Sequence, residues 1–321
     1  MHRIDTSTAQ VDKFGAGKNG FTGGNPQTGE LPTALDADFF DSVQEEISGV
    51  VEGAGIALDK SKNNQLLMAL KALFAQPVNY PGIVGQSRNA RMSVTTPSAI
   101  ADFLADELIV NSALGGNQYR LKSVGVRITL TTTGVGGMDT GSAPANGFVA
   151  VYVIYNPTNG SMALLGTDAT SVIAPEVYTG SKMPSGYTAS SLVAVWPTAS
   201  SQFVIGNLIG RKIEIASRTI LSSSAVNSSR VTLSTTQFPL NAKFISGGFG
   251  LGNTAATTQS LTIWGGNSSV GGFGMTFTLT ANASASSVFS NISVTNQTIG
   301  WSSSNTAGTP SYSIGLSSYE I

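Results

Sequence analysis

The chain has 321 residues, more than one hydrophobic core usually organises, so two or three compact units are expected. Charged residues make up only 11% of it, well under the roughly one quarter usual in soluble domains, the net charge is −1, and cysteine is absent. These values exclude disulfides, thiolate metal centres and a sequence-wide basic field that would draw in nucleic acid, while Ser, Thr, Asn, Gln and 37 Gly supply the polarity and favour short strands and turns.

Residues 1 to about 33 carry six Gly and two Pro without a sustained apolar period, which predicts an extended or looped segment that a partner orders. Met1 to Asp5 holds no apolar stretch of the signal-peptide kind, and the longest uninterrupted hydrophobic run, Phe148 to Tyr155, is too short to span a bilayer, so neither export nor membrane insertion is expected. Asp36 and Asp38 offer N-capping carboxylates to a helix in which Phe39, Phe40, Val43, Ile47, Val50 and Val51 recur at helical spacing. Gly53-Ala54-Gly55 ends it. A second helix, capped near Asp59 or Ser61, puts Leu66, Leu67, Leu70, Leu73 and Phe74 on one face. Such a two-helix hairpin buries too little surface to offset its chain entropy, so self-association is expected.

Pro77, Pro81 and Gly82 break the helical pattern, which sets a boundary near residue 80 and a linker over 81–100. Thirteen of the eighteen carboxylates precede residue 111, and the remainder reads as neutral β structure. Short apolar or alternating runs at Leu108–Val110, Val124–Leu130, Phe148–Tyr155, Leu192–Trp196, Phe203–Ile209 and Ile213–Ile215 predict a central β-sandwich over 101–220. Further runs at Arg230–Leu233, Lys243–Ser246, Leu261–Trp264, Met275–Leu279, Val288–Val294 and Tyr312–Leu316 predict a second β domain over 221–321. The fold class expected is therefore mainly β, with a small helical region behind an N-terminal arm.

Gly15-Ala16-Gly17-Lys18-Asn19-Gly20 has the spacing of a dinucleotide-binding loop, but no apolar strand precedes it and no helix follows, so a turn is the better reading. His2 is the only histidine, which weighs against triads and zinc sites. Asp139 with Asp168 or Glu176 could form a glycan-cleaving carboxylate pair, though turn capping suits such Asp residues better. Asp139 and Asp168 lack regular calcium-loop spacing. No catalytic residue, metal or cofactor is assigned. The Asn-X-Ser/Thr triplets at Asn159, Asn227, Asn267, Asn282, Asn291 and Asn296 reflect the Asn/Ser/Thr-rich composition. Aromatic side chains beside polar loops, Tyr178, Tyr187, Trp196, Trp264, Trp301 and Tyr312, suit either core packing or recognition. Strand-like surroundings favour the core for Trp196 and Trp264. Trp301 and Tyr312, flanked by Ser and Gly, are balanced between the two roles. Trp301, Tyr312, Trp264 and Tyr187 are taken as the candidate receptor contacts.

Met1 to Thr6, Thr8 to Gly15, Gly17 to Thr22 and Gly24 to Thr33, continuing through Ala34 to Ile47, resemble the start of a family of phage and prophage tail-fibre proteins. Gly137 to Gly141, Tyr152 to Pro157, Met183 to Ala189 and Val195-Trp196-Pro197 resemble β modules of the same fibres, so the resemblance covers residues 1 to about 216. It implies a homotrimer in the virion tail, made in the bacterial cytoplasm. The N-terminus, with His2, Arg3, Ile4, Asp5, Phe14 and Phe21, would join tail or baseplate proteins, and the C-terminal β domains would meet a bacterial surface receptor, either a glycan or an outer-membrane or pilus protein. No enzyme activity is implied. Alternatives are a baseplate or tail-tip component without a receptor role, and a capsule or lipopolysaccharide depolymerase. The chain has no heptad run or collagen-like repeat for an extended shaft, so a short fibre is expected.

Overall fold

The apolar period from Phe39 to Val51 folds as the helix α1 (Ala37–Gly53), capped by Asp36, whose carboxylate accepts from the Asp38 amide at 3.3 Å. Ala54 and Gly55, the latter at φ +73°, end it as the sequence predicts. Asp59 then organises the turn into α2 (Gln65–Phe74): its carboxylate accepts from the Ser61 amide and hydroxyl, and Gln65 bonds back to the Asp59 backbone. The fold is described from a computed structural model, over residues 2–74, 82–266 and 270–321; the side chain of Phe74, and Pro77, Pro81 and Asn267, lie outside the described residues.

The chain divides into two units, Met1–Asn79 and Tyr80–Ile321. In the first, the segment before α1 is looped rather than extended. Gln10 bridges Gly20 and Asn25 bridges Glu30, closing two tight turns. The Thr6 hydroxyl donates to the Ala34 carbonyl, and the Thr8 hydroxyl accepts from the Ala34 amide, drawing residues 6–34 into one loop. The glycine motif at 15–20 lies in the first turn, where the Asp12 carboxylate accepts from the Gly17 amide at 2.6 Å.

The second unit is built from strands in the order β1 (Ser87–Arg88), β2 (Arg91–Val94), β3 (Ile100–Asn111), β4 (Gln118–Thr129), β5 (Gly137–Met138), β6 (Asn146–Tyr155), β7 (Met162–Asp168), β8 (Ala189–Ala199), β9 (Gln202–Phe203), β10 (Gly206–Ile209) and β11 (Lys212–Ser223). There follow β12 (Val231–Ser234), β13 (Phe244–Asn253), β14 (Thr257–Gly265), β15 (Phe273–Leu279), β16 (Ser284–Ser293), β17 (Thr298–Asn305) and β18 (Pro310–Glu320). Strands make up 47% of the chain and helices 8%, so the expected mainly β class holds.

Fourteen of these strands form one sheet in the order β16-β13-β18-β11-β10-β2-β3-β8-β6-β7-β5, with β1 and β4 paired to β3 and β9 to β8. The other four form a sheet in the order β12-β17-β14-β15. Only β5 with β7 is a parallel pair among the described strands. Two expectations are corrected here. The stretch 81–100 is no linker, because β2 lies between β10 and β3 in the large sheet. Nor does a domain end at 220, because β11 runs through that position and pairs with β18 along its length. The sequence reading split what hydrogen bonding joins: a Ser-rich stretch after Leu221 looks like a boundary, yet its backbone continues the ladder.

One apolar cluster, from Ala90 to Ile321, lines both sheets. β6 and β8 are buried on both faces, which is why Phe148–Tyr155 and Leu192–Trp196 are continuous apolar runs rather than alternating ones. Elsewhere alternation prevails, as in β18, where Tyr312, Ile314 and Leu316 turn inward between exposed serines. Gly247 marks a close approach: a side chain there would strike the Gly315 carbonyl, at the point where β13 shifts register against β18.

Candidate functional site

In the N-terminal unit the residues expected to attach to a partner converge. His2, Arg3, Ile4, Phe14 and Phe21 line one cleft of about 430 Å³, joined by Asn19, Gly20 and Phe39. Ile4 forms its buried floor, while Phe14 and Phe21 remain exposed. Phe39, from the first turn of α1, ties the cluster together by edge contacts with the rings of His2, Phe21 and Phe40 at 6.0, 5.3 and 5.5 Å. Lys13 donates to the Phe21 carbonyl and lies 5.8 Å from the centre of the Phe14 ring, fixing the rim. Asp5, the sixth expected residue, lies outside the cleft lining but groups with His2 and Asp36, whose ligand atoms all lie within 4.8 Å of one another. One imidazole and two carboxylates at that spacing could hold a divalent cation, although the Asp36 carboxylate already caps α1. The sequence could not signal this group, since 31 residues separate Asp5 from Asp36.

α2 presents a second unusual surface. Leu66, Leu67, Met68, Leu70 and Leu73 are all exposed, and among the described side chains of α2 only Ala69 is buried. A helix apolar on every side normally lies inside a protein or an assembly.

In the second unit, two of the four candidate receptor contacts belong to the interior. Trp301, on β17, is 5% exposed and Tyr312, on β18, is 1% exposed, with the Tyr312 hydroxyl donating to the Ser304 carbonyl at 2.9 Å. This corrects the expectation based on their Ser and Gly neighbours: those neighbours alternate outward along strands, which turns the aromatic rings inward. Tyr187 is half-buried in the turn after Pro184, packed against the core. Trp264 is the reverse case. Its strand-like setting favoured burial, yet it is half-exposed on the outer face of the four-stranded sheet.

That outer face is a lattice of small polar groups around one indole. Register places Thr232, Gly300 and Trp264 in one row, then Ser302, Thr262 and Gly274, then Ser304, Ser260 and Thr276, then Thr258 and Thr278. Ser260 and Ser304 share a hydroxyl hydrogen bond at 2.6 Å, as do Thr258 and Thr278 at 3.2 Å. The indole covers Gly272, and the Arg230 guanidinium lies over Gly300, donating to the Gly266 carbonyl. Arg230 Nε is buried without a partner among the described residues. An apolar ring surrounded by hydroxyls and a guanidinium can stack on one face of a sugar while hydrogen-bonding its edges.

The carboxylates once paired as a cleavage candidate have separate structural partners. Asp139 accepts from the Tyr178 hydroxyl at 2.9 Å, Asp168 caps the Thr170 amide at 2.9 Å, and Glu176 receives both terminal nitrogens of Arg211 at 2.8 and 3.0 Å. Burial, then the hydrogen bond to Asp139, pushes the Tyr178 phenol up to about 12. Burial, reinforced by the charge of Glu176, also raises Tyr152, whose hydroxyl donates to the Pro175 carbonyl.

The architecture defines a class: a mainly β, two-sheet unit preceded by a small unit with a helical pair and an aromatic cleft. No family model matches the sequence. The chain is similar to StfP of Escherichia coli strain K12, with 62% identity over 79 residues. That match takes in 25% of this chain and 38% of StfP, so the chain spans well under half of that relative's length. Among solved structures, one of the infectious bursal disease virus Gx strain is 12% identical over 74% of this chain and 70% of that one, with a TM-score of 0.22. A Bacillus thuringiensis Cry1Da tryptic core variant is 9% identical over 73% of this chain and 51% of that one, with a TM-score of 0.17. Scores this low carry no argument about fold or function.

Proposed function

We propose that the chain is a tail-fibre subunit of a phage or prophage particle, anchored to tail or baseplate proteins by its N-terminal unit and adsorbing to a bacterial surface through its β unit. The observation that carries this reading is the 62% identity over 79 residues to StfP, whose name suggests a side tail fibre. The aromatic cleft supports it, because exposed Phe14 and Phe21 over buried Ile4 suit a protein partner better than solvent. Self-association, as a trimer in this reading, would cover the exposed leucines of α2 and add avidity to weak individual sites. The Trp264 face supplies the adsorption surface, and no covalent step is required.

The test uses the labelled full-length protein on bacteria to which particles carrying it adsorb. Labelling of cells that particles compete away, and that falls in Trp264→Ala, is the expected result. Protein that joins the particle tail yet never labels or competes on cells would overturn the adsorption half and leave a tail-assembly subunit. Release of shortened glycan chains from those cells would replace it with a depolymerase.

A further inference from the structure

Away from the Trp264 face, the second unit contains a cleft of about 410 Å³ lined by Asn146, Gly147 and Phe148 at the start of β6, Thr170, Thr198 and Ala199 at the end of β8, Arg218 on β11, and Thr236 and Gln237. Its chemistry is unusual in a chain so poor in charge. Arg218 is the one charged lining residue, and no carboxylate joins it. Among the described residues its hydrogen bonding amounts to one contact, Nη1 to the Gln237 carbonyl at 3.5 Å, the outer limit of such a bond. A half-buried guanidinium has five donors and stays charged, and the nitrogens of Arg218 that lack a protein partner still reach solvent in the cleft, where an anion can meet them.

The local fold positions this group. The ladder between β11 and β18 shifts register between Glu214 and Arg218 and again between Thr219 and Leu221, and such irregularities re-aim side chains. Gly147 lets Thr170 lie against the first residues of β6, since a side chain there would strike the Thr170 hydroxyl. Burial also draws the Arg218 guanidinium below its ordinary value, as expected of a cation without a counter-ion.

We propose that this cleft is a binding site for an anionic saccharide, with Arg218 gripping the carboxylate or phosphate and the amides and hydroxyls of Asn146, Thr170, Thr236 and Gln237 reading the ring. The volume falls in the range of small-ligand sites and exceeds what a bare anion needs. A planar guanidinium fork matches either anionic group. The biological meaning of the site rests on the adsorption reading above, while its chemistry can be tested alone.

Titration calorimetry on the full chain would use glucuronate, glucose 6-phosphate, glucose and inorganic phosphate, with wild type, Arg218→Met and Arg218→Lys. At least one charged sugar should bind, glucose should bind about tenfold to a hundredfold more weakly, and Arg218→Met should lose the difference. Arg218→Lys, which keeps charge but not the fork, should fall between. The stronger of the two charged sugars identifies the anionic group. Equal binding of glucose, binding of phosphate with neither sugar, no binding at all, or unchanged affinity in a folded Arg218→Met would each overturn the proposal. Should Arg218→Met not fold, the wild-type contrast between charged sugars and glucose decides. Cells that the protein still labels despite a failed titration would leave the adsorption reading standing without this site. Sugar binding with no cell labelling would do the opposite.

Discussion

Arg211 and Arg127 each grip a carboxylate through two nitrogens, at 2.8 and 3.0 Å to Glu176 and at 2.7 and 2.8 Å to Asp102, yet their surroundings weight them differently. The Arg211 and Glu176 side chains are 24% and 35% exposed, and Arg211 Nε also donates to the Ile321 carbonyl at 2.9 Å; Arg127 and Asp102 are 65% and 48% exposed. Solvent screening erodes the second pair. Arg211→Met is therefore expected to cost about 2 kcal/mol in denaturant unfolding, and Arg127→Met clearly less. Equal effects would mean that burial does not separate them. The tyrosines give a pH signature. Tyr178 loses its proton near 12 in the folded chain, against an ordinary value of 10.0, so its contribution is complete below pH 10 and is lost as pH rises from there to about 12. Burial drives Tyr152 and Tyr319 upward as well, so the phenolate absorbance of these three should lag behind that of exposed tyrosines until the chain unfolds.

At the scale of elements, glycine spacing separates two adjacent residues of one strand. A methyl on Gly247 would collide with the Gly315 backbone, whereas one on Gly248 meets only the Ser287 carbonyl at an ordinary 3.5 Å. Gly247→Ala should destabilise by about 3 kcal/mol and Gly248→Ala by well under 1, read from denaturation midpoints. The exposed apolar faces of α2 make a second prediction. Replacing Leu67 and Leu70 together with Glu should shift the sedimenting species toward the monomer, because each of these partly exposed leucines would contribute about 1 kcal/mol when covered by another copy. An unchanged mass would show that α2 carries no contact between copies. Both helices were legible in the sequence from their apolar period, and the cap of α1 from Asp36, whereas the expected cap of α2 near Asp59 or Ser61 lies in the turn before the helix begins at Gln65. β17 was not legible. Its outward serines around Ile299 and Trp301 resemble a loop until the neighbours that pair with it are known, and the same blindness made Trp301 look available. β2 was missed for a related reason, since only β3 and β10, far along the chain, turn Arg91–Val94 into a strand.

Over the whole molecule, the class was legible from composition, whereas the N-terminal cleft was not, although five residues grouped by the family resemblance line it. Nor was the Arg218 cleft, because its walls come from residues 146–237 and a lone arginine among hydroxyls carries no motif. The division of the β region was also misread, and the correct connectivity bears on how such a protein can change. Ser223 at the end of β11 lies opposite Tyr312 near the start of β18, and β13 and β16, which come from the chain between them, extend the same sheet beyond β18. Residues 224–309 carry the whole four-stranded sheet and Trp264, but also two strands of the large sheet, so both sheets draw on one stretch of chain. A cut at 220 severs β11 and should leave insoluble protein. Joining 223 to 310 by a short turn would keep the β11–β18 ladder but strip β13 from the other edge of β18, and should leave insoluble protein as well. Variation on the Trp264 face is therefore expected through its outward side chains, because an exchange of residues 224–309 would carry two strands of the large sheet with it.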